Sequence, residues 1–121
     1  MPIRRMKTYT AESGYVYQYY FVGKRAALAG DPNAPGAEYI FDVNTGHGAF
    51  YAISVFLRTD ALAHWAAEHG CALSDAEQYA AAKLRLFQGF DQDEDLVEGN
   101  RRLAIGANQI KGLLESLRLA E

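Results

Sequence analysis

Apolar and polar positions change period about midway along the chain. Up to residue 58 they largely alternate, as in strands; from residue 59 they recur every three or four positions, as in helices. The first apolar run, YVYQYYFV at 15–22, is bracketed by Gly14 and Gly23 and built from residue types that favour sheets. AGDPNAPGAE follows, and its prolines and glycines read as a loop. EYIFDV is a second strand, NTGHG a tight connection, and AFYAISVFLR a third strand. A connection that short joins antiparallel neighbours.

The alternation also assigns faces. Tyr15, Tyr17, Tyr19 and Phe21 share parity with Tyr39, Phe41, Val43, Tyr51, Ile53, Val55 and Leu57, so this odd set is expected to face the core. The even set holds Val16, Gln18, Tyr20, Val22, Ile40, Asp42, Phe50, Ala52, Ser54 and Phe56. That set is too apolar to be left wholly in water, so a cover over part of it is expected.

The second half predicts helices. Thr59 or Asp60 is placed to cap a short helix running to His69, with Gly70 as its left-handed stop. Ser74-Asp75-Ala76-Glu77 has the spacing of a capping box. The helix it opens carries a polar stripe at Gln78, Ala81, Arg85 and Gln88, and a wide apolar side with Tyr79, Leu84, Leu86, Phe87 and Phe90. RRLAI reads as a short fourth strand, parallel to the third because a helical crossover precedes it. Ile110, Leu113, Leu114 and Leu117 mark an amphipathic terminal helix. The prediction is one α+β domain over residues 14–121, ordered βββααβα. It has a three-stranded antiparallel meander, a short fourth strand and helices packed on one face. Residues 1–13 are read as a flexible basic arm.

Composition fits this picture. At 121 residues, half apolar and 22% charged, the chain suits one domain with its own core. Cys71 is the only cysteine, so no intrachain disulfide can form, as suits a reducing compartment. No apolar segment follows the N-terminal basic residues, and no run approaches the roughly 18 apolar residues of a membrane span. A cytoplasmic protein with no membrane partner is expected.

Charge is uneven along the chain. Residues 1–25 carry five basic side chains against Glu12, residues 26–100 three basic against twelve acidic, and residues 101–121 four basic against two acidic. A middle this acidic opposes nonspecific binding to a phosphate backbone, so nucleic acid is not expected as a partner.

Each candidate for chemistry has a plainer alternative. His64 and His69 lie five residues apart, about 140° around a helix, so they do not form a zinc pair; His64 and Glu68 share a face but lack a third ligand. His47 sits between two glycines, as a hairpin turn requires, with no helix start behind it to hold a nucleotide. Cys71, between Gly70 and Ala72, reads as a small packing residue rather than a nucleophile. Asp91, Asp93, Glu94 and Asp95 lack the ligand order of a calcium loop, and stand as a candidate acidic contact surface for a basic partner. No catalytic residue, metal site or cofactor is assigned.

Two functions are compatible with these features. The first is a noncatalytic interaction or regulatory protein that forms a homodimer or binds a protein partner through Val16, Gln18, Tyr20, Val22, Phe50 and Phe56. The second is a small-molecule-binding domain or enzyme whose pocket, between sheet and helices, uses Tyr17, Tyr19, His47 and Arg58 as polar groups.

Overall fold

The computed structural model describes residues 6–44, 48–92, 96, 99 and 101–119. In chain order the elements are β1 (Lys7–Thr10), β2 (Val16–Ala26), β3 (Gly36–Asn44), β4 (Tyr51–Arg58), α1 (Thr59–His69), α2 (Asp75–Gln92), β5 (Arg102–Ile105) and α3 (Ala107–Leu119). The five strands form one sheet in sequence order. The first four pair antiparallel, and β5 runs parallel to β4. The α+β class, the meander and the parallel last strand match the sequence reading. The strand count does not, because residues 7–10, read as part of a flexible arm, form β1.

β1 is short and polar, and tertiary contacts hold it. Lys7, Thr8, Tyr9 and Thr10 lie opposite Tyr19, Gln18, Tyr17 and Val16. The Tyr9 ring stacks on Phe87 of α2 at 4.3 Å, nearly parallel, and its hydroxyl donates to Asp91 Oδ2 at 2.7 Å. Asp91 Oδ1 also accepts from the Glu12 amide at 3.0 Å, which ties the turn between β1 and β2 to the end of α2. Tyr15, expected in the core, precedes β2 in that turn and is 54% exposed.

The odd face of the sheet carries the core. Tyr17, Tyr19, Tyr39, Phe41, Val43, Ile53, Val55 and Leu57 are all buried there, against Trp65 of α1, Leu86 and Phe90 of α2, and Ile110, Leu113 and Leu114 of α3. Side chains of this size each stabilise the fold by about 1.5–3 kcal/mol when removed from water. Tyr17 stacks on Phe90 at 4.2 Å, so two of the tyrosines of YVYQYYFV serve as core rings.

The helices start and stop by local chemistry. The capping box forms as read: Glu77 N–H donates to Ser74 Oγ, and the Ser74 amide donates to Glu77 Oε1. Gly70 takes the left-handed conformation at φ +73° and ends α1. The N-cap of α1 is Arg58, not Thr59 or Asp60, and no side chain caps it. Ala81, assigned above to the polar stripe of α2, is buried with Ala82, Leu86, Gly89 and Phe90. Gly89 lets α2 approach β5, since a Cβ there would lie 2.8 Å from Leu103 Cδ1. Among the described residues, no helix is long and apolar enough to cross a membrane.

Candidate functional site

A bulge between Phe21 and Gly23 decides what the second sheet face presents. Phe21 pairs with Phe41, but the next register pair is Gly23 with Ile40, leaving Val22 as the extra residue. Beyond it the faces of β2 invert. Arg25 therefore joins Glu38 on the even face, while Lys24 crosses to the other side, its Nζ 5.4 Å from the Tyr39 ring centroid.

One half of the even face is covered by its own chain. Segment 27–35, between β2 and β3, reaches across to β4 and β5. Arg102 Nη2 donates to Asp31 Oδ2 at 2.6 Å, Arg58 Nη1 donates to Pro32 O at 2.9 Å, and the Thr59 amide donates to Pro35 O. Asp31 is braced by the Asn33 amide on its other oxygen. The Arg102 guanidinium, with this amide, holds the Asp31 carboxyl below its ordinary value. The same guanidinium stands 4.4 Å over the Phe56 ring, and Phe56 is only 1% exposed. Phe56 is thus enclosed by its own chain and does not share the open surface with the other five residues grouped with it above.

The same half of the face carries a polar trio. Glu38 accepts from Arg25 Nε at 2.7 Å and from Ser54 Oγ. Burial pushes its carboxyl upward, but the hydrogen bonds from Arg25 and Ser54 and the nearby positive charge outweigh that and leave it below the ordinary range.

The other half of the face is open. Val16 and Phe50 are 48% and 42% exposed, Val22 is at the margin of exposure, and Gln18 and Ala52 face solvent. Thr8 and Thr10 of β1, opposite Gln18 and Val16, extend it to the sheet edge. Tyr20 lies at its centre, half-buried, with its ring 5.6 Å from that of Phe50. Its hydroxyl donates to Asp42 Oδ2 at 2.7 Å, so the one carboxylate among the described residues of this half is hydrogen-bonded within the face.

Of the alternative pocket, the described residues Tyr17, Tyr19 and Arg58 are not brought together. Tyr17 and Tyr19 are buried among Phe87 and Phe90 on the helix side. Arg58 is on the opposite face, where Asp60 accepts from its Nε and Nη2. His47 lies outside the described residues, as do Asp93, Glu94 and Asp95. The fourth member of the acidic group, Asp91, is engaged by Tyr9 and Glu12.

The histidines of α1 serve local roles. His64 Nε2 is 2.9 Å from Glu68 Oε1 on the solvent side. The His69 ring stacks on Trp65 at 4.1 Å, with Nδ1 2.9 Å from the Trp65 carbonyl oxygen. A small cleft beside them is lined by Lys111, Leu114 and Glu115 of α3. Cys71 is exposed, just past the end of α1. Among the described residues, no three or more His, Cys, Asp or Glu side chains cluster so as to hold a metal ion. The sequence reading missed the loop cover, whose only local signal was a proline-rich segment with one aspartate. Compared with models of protein families, with curated proteins and with solved structures, the chain shows no match.

Proposed function

We propose that this chain is a noncatalytic interaction protein of the cytoplasm that pairs with a second copy of itself. The contact is the open half-sheet of Val16, Gln18, Tyr20, Val22 and Phe50. The observation that carries this reading is the contrast between the two halves of one sheet face. Arg102, held to Asp31 of loop 27–35, lies over Phe56 on one half, whereas Val16 and Phe50 stand in water on the other.

The chemistry of the patch favours a like partner. Its threonines, valine, glutamine and aromatic rings are uncharged, and Asp42 is hydrogen-bonded to Tyr20. A two-fold contact places the same patch on both sides, and away from Asp42 its uncharged side chains meet no like charge. Apart from Asp42, the described residues of this patch offer a charged partner nothing to pair with.

The test is mass in solution across a dilution series, by light scattering or sedimentation. Wild-type protein should show a dimer that dissociates on dilution. Val16→Asp should be monomeric at concentrations where wild type is dimeric, because it buries an unpaired charge in the contact. Val16 is a cleaner position than Tyr20, where an aspartate would also sit against Asp42. A wild-type chain that is monomeric throughout, or a Val16→Asp variant of unchanged mass, overturns the proposal.

A further inference from the structure

A second feature lies on the helix-covered side, at the β1 margin of the sheet. Lys7 is directly opposite Tyr19 in the β1–β2 ladder, so both side chains leave the sheet toward α2. On α2, Tyr79, Lys83 and Phe87 are spaced four apart and form one stripe. Tyr79 packs on Phe21 at 5.0 Å, and Phe87 packs on Tyr19 at 5.5 Å and on Tyr9 at 4.3 Å. Those contacts above and below hold Lys83 over β2, half-buried, on the side toward which Lys7 leaves β1.

One half-buried and one exposed amino group thus share a margin of the sheet. The ion pairs formed among the described residues belong to Arg25, Arg58, His64 and Arg102, and none reaches Lys7 or Lys83. Asp91, two turns along α2, is committed to Tyr9 and Glu12. Burial, and then the neighbouring Lys7, lower the pKa of Lys83. The two nearby phenols stay protonated: burial raises both Tyr19 and Tyr79, and for Tyr19 the proximity of Tyr79 adds to it. The margin therefore offers two ammonium donors and two neutral hydroxyl donors, and among the described residues no carboxylate pairs with either lysine.

We propose that Lys7 and Lys83, with the hydroxyls of Tyr19 and Tyr79, bind a phosphate-class oxyanion, either inorganic phosphate or the phosphate of a monoester. A compact dianion has enough acceptor oxygens for four donors and relieves the repulsion between the two ammonium groups. A chloride ion offers neither the geometry nor the second charge. The site is on the opposite side of the sheet from the dimer patch and stands or falls independently of it.

The experiment is calorimetric titration of the full chain with inorganic phosphate, and in a second arm with phenyl phosphate, in buffers matched in ionic strength with chloride. Saturable binding is expected in at least one arm, and the stronger arm identifies the source of the phosphate. Lys83→Met and Lys7→Met should each weaken it about tenfold, as expected for loss of a charge-assisted hydrogen bond. Lys111→Met, on α3, should leave it unchanged. Lys7 is exposed, so its variant keeps the test valid if Lys83→Met folds poorly. No saturable binding in either arm overturns the proposal. Binding that survives Lys7→Met together with Lys83→Met also overturns it, and marks an adventitious ion only.

Discussion

Arg102 reaches Asp31, 71 residues earlier in the chain, at 2.6 Å, and in doing so lays its guanidinium over the ring of Phe56. One side chain thus joins the loop between β2 and β3 to the last strand and closes half of a sheet face. The contact is exposed on the arginine side, so its own ion-pair energy is small. Its consequence is geometric: it ties segment 27–35 to the arginine that lies over an aromatic ring.

Loss of that contact should loosen the loop before it unfolds the domain. Arg102→Ala is expected to speed proteolytic cleavage within residues 27–35 while the far-ultraviolet circular dichroism stays that of wild type. Phe56→Ala acts on the packing itself and should lower stability by about 3 kcal/mol in denaturant titration. An Arg102→Ala protein cleaved no faster than wild type would mean that the loop is held by its backbone contacts to Arg58 and Thr59 alone.

The same loop end makes a glycine obligatory. A Cβ at Gly36 would stand 2.6 Å from the Asn33 carbonyl oxygen and 2.8 Å from that of Leu57, both backbone atoms with little room to move. Gly36→Ala should therefore cost about 1–3 kcal/mol, the range for overpacking a close contact. Gly23→Ala is the control, since a Cβ there meets nothing within 4 Å. Equal midpoints for the two variants in urea would contradict the clash.

Acid stability should depend on Glu38. Its carboxyl is held below the ordinary value near 4.5, with burial opposing and the Arg25 and Ser54 hydrogen bonds prevailing. A carboxylate whose folded value is depressed stabilises the native state fully above its unfolded value. That contribution is lost as pH falls through the folded value. Wild-type stability should thus drop on acidification below about pH 4.5, and Glu38→Gln should flatten this part of the curve while lowering stability at pH 7. Urea midpoints from pH 7 to pH 3 check it, and parallel curves for the two proteins would refute the role given to Glu38.

How far such features could be read from sequence depends on the range of the forces involved. The strands β2 to β4 follow from alternation, and Ser74 with Glu77 follows from a spacing of three residues, because both are local. β1 was illegible: KTYT has neither length nor apolar alternation, and what fixes it is Tyr9 meeting Phe87 and Asp91 from across the chain. Parity failed at Tyr15, which lies in a turn rather than in the strand, and it could not reach past Val22, where the strand continues and a bulge inverts its faces. The apolar excess of the even face did announce a cover. That Asp31 and Arg102 supply half of it could not be seen, since nothing local links residues so far apart. The lysine pair at the β1 margin was hidden for the same reason, because Lys7 had been placed in an arm.

Two tyrosines on the helix side should respond oppositely to loss of a hydroxyl. Tyr9 donates to Asp91, and burial first, then that hydrogen bond and the negative charge, push its pKa up to about 12. A raised value means the stability it lends is complete below its ordinary value near 10 and is lost as pH climbs through about 12. Tyr9→Phe should lower stability at pH 7 by about 1 kcal/mol and remove a component of tyrosinate absorbance that titrates near pH 12. Tyr39 is 2% exposed, and its buried hydroxyl has no hydrogen-bond partner. Its desolvation is already uncompensated in the folded state, so Tyr39→Phe should leave stability unchanged or raise it by up to about 1 kcal/mol. If instead Tyr39→Phe is the more destabilising of the two, the phenol is satisfied in solution and the assignment of an orphaned hydroxyl to the core is wrong.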